Sequence, residues 1–320
     1  MKVQSQKPFL WIPGQGCDAA ALARMRAAFP RPREPMGEAW FMGETRAMFW
    51  DLLGDLSTLP IGDLQTALFE IASGTKNFGE RTEWTDWYHH ILVQTLPRAH
   101  ERHISSYIET LITTFMSLYF NGVAREPYKG FRRDALNTLG RSIMNPECWD
   151  GERIKIGRFL RREYNPRVGV WFWRDASGDF SASMFFCLKY LAAEEIAPWL
   201  RSVLSIPDPH WRAQIMVWFI GAYDLLTGRI DDPSSYEISD CPSVYWDSAH
   251  LLTRAASDGA PTHFLPQANR DAALTTLAAV MLDEVYLDWL CSIAAFDYLE
   301  SELADLPERF RMLYILGAAP

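Results

Sequence analysis

The sequence predicts an all-α protein: a multi-helix array, HEAT-like or an irregular α-solenoid, with a small β-hairpin near residues 168–180. Three observations predict it. Apolar residues recur at helical spacing through most of the 320 residues. Gly and Pro punctuate that pattern so as to leave helices of roughly 12 to 22 residues. Only VGVWFWRD, at 168–175, has the β-branched and aromatic density of a strand, and the Ala-Ser-Gly-Asp after it suits a hairpin turn.

In order, residues 1–40 read as an irregular N-terminal segment with one helix near 18–29 and a Pro- and Arg-rich end, FPRPREPMG. A helical array fills 41–230. Its first helices fall near 41–56, 61–73 and 82–96, the last with Thr82 as N-cap. ISSYIETLITTFMSLYF is the clearest: Ile104, Tyr107, Ile108, Leu111, Ile112, Phe115 and Tyr119 form one buried stripe, and Asn121-Gly122 supplies a left-handed cap. Helices near 130–144, 151–164 and 181–204 follow. Asp208-Pro209 announces the next, because the Asp side chain caps free N–H groups and Pro at the first position has none to waste; it ends near Thr227-Gly228. An acidic loop occupies 231–242. Residues 243–320 form acidic C-terminal helices packed on the array, near 243–256, 268–282, 284–302 and 307–316.

A hydrophobic content of 48% supports a large core. No apolar run approaches the roughly 18 to 20 residues that cross a bilayer. The opening MKVQSQKPFLWIPGQGC lacks a signal peptide's hydrophobic segment, so a cytoplasmic location is expected. Five widely spaced cysteines without a CxxC pair read as buried thiols of a reducing compartment.

The net charge of −9 is unevenly placed. Residues 1–230 carry 27 Lys/Arg against 25 Asp/Glu, whereas 231–320 carry 4 against 15. Within the first part, 125–167 holds 11 basic and 6 acidic side chains. A field of this shape orients charged partners.

The stretch GERTEWTDWYHHILVQTLPRAHERH contains four of the seven histidines. On a helix from Thr82, Trp84, Trp87, Tyr88, Ile91 and Thr95 share one face, and Glu83, Asp86, His90 and Gln94 share the opposite, solvated one. His89 lies about 100° from His90, so the two do not chelate one ion. Glu83, Asp86 and His90 are candidate partner-contact residues. His100-Glu101-Arg102-His103 falls one residue short of the HExxH spacing that places two zinc ligands on one helical face.

Asp247-Ser248-Ala249-His250 gathers triad-type residues, but a triad is assembled by tertiary geometry. No GxSxG, GxxxxGK[ST] or GxGxxG motif is present, so the sequence designates no catalytic residue, metal or cofactor. The basic stretch GERIKIGRFLRREYNPR, with Trp171 and Trp173 nearby, suits phosphates and stacked bases. The loop DDPSSYEISD has four carboxylates and no basic residue, which makes Asp231, Asp232, Glu237 and Asp240 a candidate docking surface for a cationic protein.

SIPDPHWRAQIMVWFIGAYDLL and GFRRDALNTLGRSI resemble the second half of HEAT repeats, with Phe131 and Trp211 80 residues apart, about two HEAT periods. DDPSSYEISD, DEVYLDWL and EWTDWYHH, in an acidic, Trp-rich helical chain, resemble in type the immunity proteins that neutralise antibacterial toxins. That resemblance implies a non-enzymatic scaffold that binds a cationic toxin. The alternatives are a HEAT-like nucleic-acid binder using residues 153–167 and a metal-dependent enzyme using the histidines of 89–103.

Overall fold

The computed structural model describes residues 7–40, 47–99, 106–156, 163–165, 170–172, 178–235, 244, 246–253 and 263–316. Among these residues twelve α-helices are present: α1 (Ala19–Ala28), α2 (Ile61–Phe78), α3 (Thr82–Thr95), α4 (Tyr107–Leu118), α5 (Phe131–Thr138), α6 (Gly178–Tyr190), α7 (Ala193–Leu204), α8 (Pro209–Thr227), α9 (Gln267–Val280), α10 (Asp283–Ala294), α11 (Asp297–Leu303) and α12 (Leu306–Arg311). Among the described residues, strands are confined to three antiparallel ribbons: β1 (Met36–Gly37) with β2 (Ala47–Phe49), β3 (Trp149–Asp150) with β4 (Arg153–Ile154), and β5 (Glu163–Asn165) with β6 (Val170–Phe172). The protein is an all-α, multi-helix array.

The axis of the array is α4, with α2 and α6 packed along it. Its sequence shows one apolar stripe, yet all 12 of its residues are buried. Its hydroxyls are satisfied by backbone carbonyls: Thr113 donates to that of Glu109, Thr114 to that of Thr110, and Ser117 to that of Ala72 on α2. Helix α3 closes on α2 at Gly74, where a Cβ would come within 2.6 Å of the Trp84 ring and 2.8 Å of the Ala39 side chain. Farther along the chain, α7 packs on α9, and α8 on α10 and α12.

Helix α6 is also buried at every position. Stacked repeat pairs leave each helix an outer face. Of the two forms the sequence allows, the array therefore takes the irregular one.

One hydrophobic cluster runs from Phe9 to Tyr314. The N-terminal segment belongs to it. Trp11 is buried edge-on against Trp199 and Trp211, its Nε1 donating to the Gly140 carbonyl at 2.8 Å and its backbone N–H to Ser202 Oγ at 2.9 Å.

Both predicted ends of α8 form, Asp208 accepting from the Trp211 N–H and Gly228 closing the helix at φ +79°. Asp18 caps α1 by accepting from the Ala21 N–H. The predicted Asn121-Gly122 cap does not end α4: that helix stops at Leu118 with Tyr119 as its cap, and Gly122, at φ +89°, closes the turn that follows by donating to the Tyr119 carbonyl. Helix α3 instead starts one residue early, with Thr82 inside it and Arg81 at the cap.

Several predicted spans fold differently. In place of a helix over 41–56, residues 47–49 pair with β1 and 50–53 make a single 3₁₀ turn, with 41–46 outside the described residues. The predicted helix 151–164 begins as the β3–β4 hairpin, because Gly151 takes φ +60° at its turn. The predicted strand exists as β6, but its partner β5 precedes it. The span 181–204 divides into α6 and α7, because Asn269 on α9 donates to the carbonyls of Leu188 and Leu191 and closes the end of α6. The span 284–302 divides into α10 and α11, and within 243–256 the described residues form a 3₁₀ turn at Ala249–Leu252.

Candidate partner-binding surface

The sequence-predicted contact residues belong to two places. On α3, Asp86 is exposed. Glu83 is half-buried and accepts from the Gly37 N–H at 2.6 Å, which ties α3 to β1. His90 is buried instead of solvated, because the segment between α1 and α2 covers it. Burial lowers its pKa; the Phe29 backbone opposes this and Arg31 adds to it. Its ring lines a cavity of about 410 Å³ with Arg31, Asp55 and Gln94, and its Nδ1 has no hydrogen-bond partner. Neighbouring His89 is buried more deeply, stacked on Phe29 and hydrogen-bonded to Tyr119.

In the acidic loop, Asp231 is exposed, and its carbonyl accepts from the Phe264 N–H at 2.7 Å. Asp232 is half-buried and folds back on its own loop, accepting from the N–H and hydroxyl of Ser234. Glu237 and Asp240 lie outside the described residues, as do His100, Glu101 and His103. Glu83 and Asp231 are thus anchored to different elements, one to β1 and the other to the segment before α9.

A surface that sequence reasoning did not select is presented by α10. Tyr286, Trp289 and Ile293, at i, i+3 and i+7, face inward and are buried. The opposite side carries Leu287, 57% exposed, with exposed Glu284, Asp288 and Cys291, and Leu282 at the helix start is 62% exposed. Cys291 departs from the buried thiols expected, whereas Cys148 and Cys187 are buried.

Asp288 pairs with Arg212 at 3.0 Å, and Arg212 also donates to Ser292 and lies over the Trp289 ring, so the orientation of α10 on α8 is held by a charged contact as well as by packing. The available signal was DEVYLDWL itself. It has apolar residues all round the helix, more than a single buried stripe requires.

The triad-type residues after Trp246 serve another purpose. The Ser248 N–H and hydroxyl both donate to Glu109 Oε1, at 3.1 and 2.8 Å, while His250 is exposed with Nδ1 at the Asp247 carbonyl. Glu109 is 1% exposed and its Oε2 has no hydrogen-bond partner; burial raises its carboxyl to about 8. Ser248 therefore pins its segment to α4, and no hydrogen bond links it to His250.

Among the described residues, no three His, Cys, Asp or Glu side chains gather in a geometry for a metal ion, and no helix is long and apolar enough to cross a membrane. Fold and surface together define a helical array with an acidic, partly apolar outer face on α10. The chain matches no protein family, no curated protein and no solved structure.

Proposed function

We propose that the protein is a non-enzymatic binding scaffold whose partner is a cationic protein, in the manner of immunity proteins that occlude antibacterial toxins, and that it acts in the cytoplasm. The outward face of α10 carries this reading. Exposed Leu282 and Leu287 offer apolar area for burial, and exposed Asp283 and Glu284 beside them add negative charge, while Asp288 is engaged by Arg212. Apolar contact supplies affinity at a protein interface, and a charged rim supplies orientation and speed. The described residues 263–316 extend that field, with 9 Asp/Glu against 3 Arg. Asp231, Asp232, Glu237 and Asp240 lie in the same acidic third of the chain and belong to the proposed surface, with Glu83 and Asp86 as a separate contact and His90 beneath it.

The nucleic-acid alternative draws less support from the described part of 153–167, because Arg153 shares its cavity with Asp150, Glu152 and Asp208.

The test is co-expression with a basic protein encoded by a neighbouring reading frame. Salt-sensitive co-purification is expected, lost on Leu287→Ser with Glu284→Lys. Retention of the complex by a variant that also neutralises Asp231, Asp232, Glu237 and Asp240 overturns the surface assignment. Binding to oligonucleotides at physiological salt supports the alternative instead.

A further inference from the structure

Between the end of α4, α6 and the start of α9 lies a cavity of about 320 Å³ that plays no part in the surface described above. Its apolar lining includes Phe120, Phe264 and Leu265, and its charged lining consists of Lys189, His263 and Arg270. No carboxylate among the described residues lines it.

Lys189 is 7% exposed, an uncommon state for an ammonium without a carboxylate beside it. Its Nζ donates once, to the Phe264 carbonyl at 2.5 Å, and lies over the rings of Phe264 and Phe120 at 4.2 and 4.8 Å. An ammonium has three donors, so two remain. Arg270 is half-buried, its guanidinium packs against Gly228, and its Nε is buried without a hydrogen-bond partner. His263 Nδ1 lies 3.0 Å from the Leu265 N–H and 3.2 Å from the Leu265 carbonyl, so its own backbone turn occupies that nitrogen. Nε2 is buried and makes no hydrogen bond, although the Leu225 backbone nearby favours the charged ring.

Two cationic side chains, Lys189 and Arg270, therefore converge with His263 on a cavity with aromatic walls, and the described lining contains no anionic group. We propose that this cavity binds a small organic carboxylate with an apolar body. Its carboxylate is received by Arg270 and Lys189, and its body packs on Phe120 and Phe264. The aromatic walls favour an anion with an apolar body over a small, strongly hydrated one. Burial lowers Lys189 to about 7 and holds His263 below its ordinary value, although Asp231 nearby works in the opposite direction on His263. The site thus presents one fixed charge, on Arg270, and a second on Lys189 that an arriving anion completes.

The test is calorimetric titration of the whole chain with benzoate, benzamide and inorganic phosphate. Benzoate is expected to bind saturably and benzamide not to bind. Arg270→Gln is expected to weaken benzoate at least tenfold, and Lys189→Met, which keeps the side chain's bulk, to weaken it as well. Failure of benzoate to bind, equal binding of benzamide, tighter binding of phosphate, or an Arg270→Gln variant with unchanged affinity each overturns the proposal. Leu287→Ser, which bears on the protein-binding surface, is expected to leave benzoate affinity unchanged, so the two readings fail separately.

Discussion

The imidazole of His89 lies nearly parallel to the ring of Phe29, with ring centroids 4.0 Å apart. Its Nε2 is 2.8 Å from the Tyr119 hydroxyl, and no charge partner offsets its burial, which lowers its pKa to about 3. The unfolded chain takes up this proton near the ordinary value of 6.5 and the folded chain only near 3, so the stability contributed is present above 6.5 and is lost as pH falls toward 3. Between pH 7 and pH 5 the loss is about 2 kcal/mol. Urea unfolding at the two pH values measures it. His89→Leu is expected to shrink the difference, and an unchanged difference overturns the assignment.

Glu109 produces the opposite slope. Its carboxyl is raised to about 8 by burial, so the folded protein holds a proton that the unfolded chain releases near 4.5. Stability contributed by the protonated form is full below 4.5 and falls as pH rises through 8. Glu109→Gln is expected to flatten unfolding midpoints between pH 6 and pH 8. Ser248→Ala, which removes the hydroxyl donor but not the N–H, is expected to cost about 1–3 kcal/mol. Gly178 belongs to the same contact, since a Cβ there would overlap Glu109 Oε2. Gly178→Ala should therefore destabilise the protein, and a neutral result would show that the carboxyl can move aside.

Trp11 tests whether the N-terminal segment is structural. It joins 3₁₀ residue Gly140 and α7 residue Ser202 to one another through its indole and backbone N–H groups. Trp11→Ala is expected to cost about 3–5 kcal/mol, as for a large buried aromatic ring. Trp11→Phe, which leaves the Gly140 carbonyl without its donor, is expected to cost less. Thermal and urea midpoints for both variants check the order.

Helices were legible where their ends are local. Asp208-Pro209 and Gly228 bound α8 through their own side chain, ring and backbone. The division between α6 and α7 was not legible, because the carbonyls that end α6 are satisfied by Asn269, about 80 residues later. The β3–β4 hairpin had its signal in Asp150-Gly151, which competed with the helical spacing of the residues after it. The helical wheel separated His89 from His90 correctly. It could not show that the segment around Phe29 and Arg31 covers the polar side as well, because that burial depends on a chain segment about 60 residues earlier. The acidity of the last third was legible from composition. Which face of α10 stays uncovered was not, since apolar residues surround that helix.

That face yields the prediction that separates function from folding. Leu282 and Leu287 are exposed, so Leu282→Ser and Leu287→Ser are expected to move stability by no more than about 0.5 kcal/mol. Trp289, two residues after Leu287, is 1% exposed and takes the Arg212 guanidinium over its ring, so Trp289→Ala should cost about 3–5 kcal/mol. If α10 binds a cationic partner, the two Leu variants should lose the complex while unfolding at the wild-type midpoint, and Glu284→Lys should mainly slow association at low salt. Trp289→Ala should lose complex and fold together. Urea midpoints with association rates at two salt concentrations distinguish these outcomes, and Leu variants that unfold early would show α10 to be packed rather than presented.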